Sequence, residues 1–282
     1  MTVVTPNSKD FSGTVEFSKG FRPRAEISHV LFDFDGTLSL IREGWMEVMA
    51  RMFLEMLPPQ SGESREERQK TVMDDIARLT GKQTIYQMIQ LATRILERGG
   101  KPRDPLWYKG EYLRRLDARI QDRIEGLQDG AISPEKFLVH NSRALLENLT
   151  RRGLILYLAS GTDAHYVKRE AKLLDIVRYF GPRIYGALDD YRKMSKKLVV
   201  DRILQENRIE GRSLLTFGDG YVEIENVKEV GGFAVAVASD EARNGSGKID
   251  EWKRRRLLDA GADVVIPDFR DATPLLKLIL NT

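Results

Sequence analysis

The rhythm of apolar positions changes twice along this chain. A short apolar run, Val30-Leu31-Phe32, stops at Asp33 and predicts a buried strand with acids at its carboxyl end. The preceding residues 1–26 are polar, are punctuated by Gly13, Gly20 and Pro23, and predict an irregular lead-in. From about residue 40 to 150 the period is helical. Ile85, Met88, Ile89, Ala92, Ile95 and Leu96 share one predicted face, and Leu113, Leu116, Ile120 and Ile124 another. Pro58-Pro59-Gln60-Ser61-Gly62 and Gly99-Gly100-Lys101-Pro102 predict connections between helices. After about residue 150, strands predicted at 154–159, 183–185, 213–217, 233–237 and 263–266 alternate with helices at 163–174, 195–206, 223–230, 250–260 and 272–280. Such alternation predicts an α/β fold, a parallel sheet covered on both faces. Helices at 40–150 with no strands between them cannot all be crossovers of that sheet, so they predict an inserted all-α subdomain. The expected organisation is a lead-in at 1–26, a core built from 27–40 and 151–282, and a helical insertion at 41–150.

Composition narrows the chemistry. Hydrophobic residues are 41% of the 282, enough for a substantial core. Lys plus Arg number 45 against 42 Asp plus Glu, so a net charge of +3 gives no pull toward nucleic acid or a membrane surface. The basic run Lys253-Arg254-Arg255-Arg256 lies beside Asp250 and Glu251 and predicts a solvated helix face. The absence of cysteine excludes disulfides, thiolate catalysis and cysteine-held zinc. Three histidines, His29, His140 and His165, do not make a histidine-rich metal site. The start, MTVVTPNSKDFSG, lacks an apolar signal core, and no apolar run nears the roughly 18–20 residues of a membrane span. The expectation is a soluble cytoplasmic protein, monomer or homodimer.

Active groups in open α/β sheets gather at the carboxyl ends of the strands. The first predicted strand ends in Asp33-Phe34-Asp35-Gly36-Thr37, two carboxylates that can reach one side of the strand end before a glycine turn. The second ends in Ser160-Gly161-Thr162, a hydroxyl and exposed N–H groups at a helix start, which suits a phosphate. A later helix opens with Ser195-Lys196-Lys197, and the next strand ends in Gly218-Asp219-Gly220-Tyr221-Val222-Glu223. Four clustered carboxylates repel one another and call for a hard cation. All-oxygen ligands without Cys or His favour Mg²⁺.

The ordered set DFDGT, LASGT, a lysine and GDGYVE resembles the haloacid dehalogenase superfamily of phosphatases, over residues 28–39 and 151–280. The resemblance implies a Rossmann-like core, with the helical insertion similar to the type-one cap of phosphoglycolate phosphatases and β-phosphoglucomutase. It implies Asp33 as nucleophile toward phosphorus and Asp35 as general acid, then base. Ser160 and the N–H of Gly161 would hold phosphoryl oxygens, and Lys196 would neutralise charge on nucleophile and phosphate. Asp219, the Asp33 carboxylate and the Asp35 backbone carbonyl would ligate Mg²⁺. The family commonly has Asp where Glu223 stands, whose longer arm would reach the metal directly or through water. Lys193 and Lys197 compete with Lys196 for the lysine role; Lys196 is preferred at the first helical turn. Arg42, Glu43 and Trp45 follow the first motif and face either substrate or, for Trp45, the cap interior. Trp107 and Tyr108 predict packing, and His165 a surface position or a substrate contact. The implied activity is hydrolysis of a small phosphorylated metabolite. A phosphomutase is the alternative, with a dehalogenase disfavoured by Asp35 and a non-catalytic binding protein disfavoured by the intact acids.

Overall fold

The computed structural model describes residues 11–12, 14–188 and 190–281. Strands β1 (Glu16–Phe17) and β2 (His29–Phe32) precede four helices: α1 (Trp45–Met56), α2 (Arg65–Leu79), α3 (Thr84–Glu97) and α4 (Pro105–Gln128). Then follow α5 (Ser142–Arg151), β3 (Ile155–Asp163), α6 (Ala164–Leu173), α7 (Val177–Phe180) and β4 (Ile184–Ala187). The chain ends with α8 (Lys196–Asn207), β5 (Leu214–Gly218), α9 (Tyr221–Glu229), β6 (Phe233–Val237), α10 (Glu251–Asp259), β7 (Val264–Ile266) and α11 (Ala272–Leu280).

The seven strands form one sheet in the order β1-β7-β6-β5-β2-β3-β4. The strands from β2 to β7 run parallel, as the alternation predicted. The lead-in departs from expectation: β1 pairs antiparallel with β7. Two residues carry no readable period, and what holds this edge is aromatic packing, with Phe17 edge-on to Phe21 and Phe21 edge-on to Phe233. At the centre, every residue of β2 is buried between β3 and β5, and Phe32 stacks on Phe217 with ring centroids 5.1 Å apart.

The helices α1 to α4 pack on one another. Helix α2 starts with a reciprocal cap, Ser64 accepting from the Glu67 N–H and Glu67 from the Ser64 N–H. On α3 the buried face is Ile85, Met88, Leu91 and Ile95; Leu96, expected there, is 65% exposed. Residue 96 lies about 100° round the helix from 95, which turns it to water. On α4 the buried row extends toward the N-terminus through Tyr108 and Tyr112 to meet Leu116, Ile120 and Ile124. Helix α5 lies on β3, α7 and α11, against the sheet. A single apolar cluster runs from Phe32 and Phe217 through Leu38 and Ile41 to Met88 and Leu116. Among the described residues no helix is long and apolar enough to cross a membrane.

Candidate active site

The carboxyl ends of β2, β3 and β5 and the start of α8 border one cavity, roofed by the helical insertion. Its floor holds Asp33, Asp35, Ser160, Gly161, Thr162, Lys196 and Asp219. Its roof and walls include Arg42, Trp45, the turn Thr80-Gly81-Lys82 between α2 and α3, Gln87 and Tyr112.

Asp33 leaves the central strand with its N–H bonded to Phe217 O at 3.0 Å. The chain then reverses at Gly36, whose φ is +77°. A Cβ there would lie 2.1 Å from Asp219 Oδ2, so only glycine lets the two acidic loops approach. Asp33, Asp219 and Glu223 each bring a carboxylate oxygen within 4.8 Å of the other two. Lys196 Nζ sits 2.8 Å from Asp33 Oδ1 and 2.8 Å from Glu223 Oε2. Lys193 and Lys197 are exposed and pair with Asp190 and Glu229, outside the cavity. Burial pushes the Asp33 carboxyl well above its usual range, with Glu223 and Asp219 adding to the rise and Lys196 opposing it. Burial likewise raises Glu223, against the pull of Lys196. Glu223 Oε1 also accepts from the Gly220 N–H at 2.6 Å, so both its oxygens have partners within the protein.

Asp35 faces the other side. Its Oδ2 accepts from Ser160 Oγ at 3.2 Å and Thr162 Oγ1 at 2.9 Å, and Ser160 Oγ in turn accepts from the Thr162 N–H. Its Oδ1 is buried without a hydrogen bond, the Arg42 Nε being 3.9 Å away. Burial raises this carboxyl to about 6, opposed by the nearby Arg42 charge. At that value the group can both give and take a proton near neutrality. Arg42 is held by a two-point pair with Glu170, at 3.0 and 2.7 Å, and lies 5.0 Å from the Tyr166 ring centroid.

The sequence did not reveal Lys253. The run read as a solvated face instead turns Lys253 inward, where Nζ meets Asp219 Oδ2 at 2.9 Å and Glu241 Oε1 at 2.6 Å. Arg254 pairs with Glu16, and Arg256 lies over Tyr221 and Trp252, so only Arg255 of the four is exposed. The one available signal was period: Lys253 lies one helical turn from Leu257, which is buried. Trp45 borders the cavity. Glu43 instead pairs with Arg123 at 2.9 Å. His165 is exposed outside the cavity, Tyr108 is buried, and Trp107 lies beneath the Arg103 guanidinium at the surface.

The fold is shared with solved structures at low identity. A predicted phosphoglycolate phosphatase from Haemophilus somnus 129pt superposes with TM-score 0.58 at 14% identity, over 89% of this chain and 98% of that one. A haloacid dehalogenase-like protein of unknown function from Agrobacterium tumefaciens gives 0.59 at 19%, over 89% and 97%. A predicted phosphatase from Clostridium acetobutylicum gives 0.57 at 16%, over 89% and 100%. A search of curated proteins finds no match. Residues 27–231 match the family description haloacid dehalogenase-like hydrolase, most of the chain and every loop of the cavity floor, and the chain belongs to that family.

Proposed function

We propose that this hydrolase is a Mg²⁺-dependent phosphatase of small phosphomonoesters that works through an aspartyl-phosphate on Asp33. The observation that supports it best is the division of labour around one roofed cavity: a lysine-paired carboxylate beside an acidic cluster, and a protonatable carboxyl across from it.

The residues present fit a hard divalent cation. Three carboxylates crowd together, burial raises two of them, and every donor is oxygen. Asp33, Asp219 and the Asp35 backbone carbonyl would hold Mg²⁺, with Glu223, held by Lys196 and the Gly220 N–H, reaching it directly or through water. When bound, the ion offsets the repulsion between the attacking carboxylate and the phosphoryl group. Lys196 orients the Asp33 oxygen and shares its charge. That oxygen attacks phosphorus as the ester P–O bond breaks, and Asp35 gives its proton to the departing alcohol oxygen. Asp35, now a carboxylate, takes a proton from water, whose oxygen attacks phosphorus. The bond to Asp33 breaks and inorganic phosphate leaves. Ser160 and Thr162 hold Asp35 through both stages. Ser160 and the Gly161 N–H also border the space for phosphoryl oxygens. The open volume, about 80 Å³, favours small esters.

Phosphate release from a panel of phosphorylated metabolites tests this reading. Turnover is expected with Mg²⁺, is lost in EDTA, and falls roughly 10³-fold or more in Asp33→Asn, which still melts cooperatively. Hydrolysis that survives chelation or the Asp33→Asn change would overturn it.

A further inference from the structure

The cap side of the cavity carries polar groups that the fold leaves without partners. Gln87, on the inner face of α3, is 4% exposed, and its amide makes no hydrogen bond among the described residues. Tyr112, on α4, is equally buried, and its hydroxyl likewise has none. Burial holds that hydroxyl protonated, and it lies close enough to Arg42 and Asp35 to feel both charges. Arg42 gives Nε and Nη2 to Glu170, which leaves Nη1 without a hydrogen bond. None of these atoms is sealed inside the packing, so each stands open to the small chamber, where a ligand's polar groups can take the place of water. Asp35 borders the same cavity, and under the proposed chemistry it meets the oxygen of the departing alcohol. The orphan groups therefore line the space that the rest of that alcohol would occupy.

Their charge states say what kind of alcohol fits. Gln87 is neutral and offers both a donor and an acceptor, and Tyr112 does the same through one oxygen. The Arg42 charge is matched by Glu170, which is fully buried. Lys82, the other cation on the cap side, is exposed, where water screens it. This wall is electrically balanced and rich in hydrogen-bonding sites. A carboxylate or second phosphate would find no uncompensated buried cation here, whereas hydroxyl groups would satisfy the orphans.

We propose that the leaving group is a neutral, polyhydroxylated alcohol, so that the substrates are monophosphates of polyols or sugars, recognised by Gln87, Tyr112 and Arg42. This rests on the phosphatase reading above. The test compares kcat/KM for glycerol 3-phosphate, n-propyl phosphate and 2-phosphoglycolate, which share a short chain and differ in hydroxyl and carboxylate groups. The wild-type protein should prefer glycerol 3-phosphate to either of the others by about tenfold or more. The preference over n-propyl phosphate should shrink by about tenfold in Gln87→Leu and in the more conservative Tyr112→Phe, with melting temperatures confirming that both fold. Equal rates on glycerol and propyl esters, preference for 2-phosphoglycolate, or an unchanged ratio in both variants would overturn the inference while leaving the phosphatase reading intact. No turnover of any ester would defeat the phosphatase reading, and this one with it.

Discussion

Lys253 and Lys196 divide the acids of the floor between them. Lys196 neutralises Asp33 and Glu223, and Lys253 neutralises Asp219 and Glu241. Removing one partner of a buried ion pair typically costs about 3–5 kcal/mol, because the other charge is stranded. Lys253→Met should therefore lower the melting temperature in EDTA. Saturating Mg²⁺ should restore part of the loss, since a bound cation also neutralises Asp219. An equal loss with and without Mg²⁺, read by thermal unfolding, would show that Asp219 takes no part in metal binding. Residues such as Asp33, Ser160 and Asp219 were legible in the sequence because each directly follows an apolar run, although Ser160, Gly161 and Thr162, expected in a loop at a helix start, continue β3 to Asp163. Lys253 was not, because a charge on a helix is read as solvated unless its partners are known. Those partners come from loops at 219 and 241, and no local pattern ties them to residue 253. Gln87 was hidden for the same reason, a polar residue on a helix face that otherwise packs.

At the scale of elements, period identified what was long and missed what was short. The alternation after residue 150 gave every parallel strand from β3 to β7 within a few residues, since four or five apolar positions in a row have few other homes. The two-residue β1 had no period to read. On α3, sequence spacing placed Leu96 on the buried face, and the face buried in the structure instead runs through Ile85, Met88, Leu91 and Ile95. The helices of the cap are also tied by charge. Asp75, on α2, is almost buried and accepts from Arg94 of α3 at 2.7 Å and from Arg78 at 3.1 Å. Burial pushes its carboxyl up, but the bonds from the two arginines outweigh burial and hold it below its ordinary value. A carboxyl depressed in the folded state stabilises the fold above its unfolded value, about 3.9, and that contribution is lost as pH falls through the lower folded value. Thermal stability should therefore decline below about pH 4. Asp75→Asn should flatten that part of the decline and lower stability at pH 7. Identical pH profiles of melting temperature for the two proteins would contradict this.

Across the whole molecule, cap and core meet through backbone as much as side chains. The turn after α2 rests on two glycines of the core: a Cβ at Gly161 would lie 2.6 Å from Lys82 O, and one at Gly81 would lie 3.3 Å from the Gly220 Cα. Gln83 gives its amide to the carbonyls of Tyr191, at 3.0 Å, and Met194, just before the helix that carries Lys196. Lys109 of α4 pairs with Asp163 at the end of β3, and Arg123 bonds the Ile41 and Glu43 carbonyls of the connecting chain. Gly161→Ala should push the roof off the floor, since a backbone carbonyl cannot swing aside. A displacement near 1 Å in a catalytic assembly can cost about 100-fold, so kcat/KM should fall by that order while the melting temperature changes little. Full activity in that variant would show that the roof need not be so close. The inserted domain was legible from its strand-free helices. Its seating on the floor was not, because close approach of two backbones leaves only glycines as its trace, and glycines also mark ordinary turns.

The glycine seam closes one edge of the cavity. With the turn at residues 80–82 lying directly on the end of β3, no side chain fits between roof and floor along that edge. A phosphoserine on a folded protein would have to enter past another edge, while a free molecule of a few carbons needs a smaller opening. Under the phosphatase reading proposed above, compounds that diffuse alone would be turned over ahead of phosphorylated chains, with the seam acting as a sieve ahead of any chemistry.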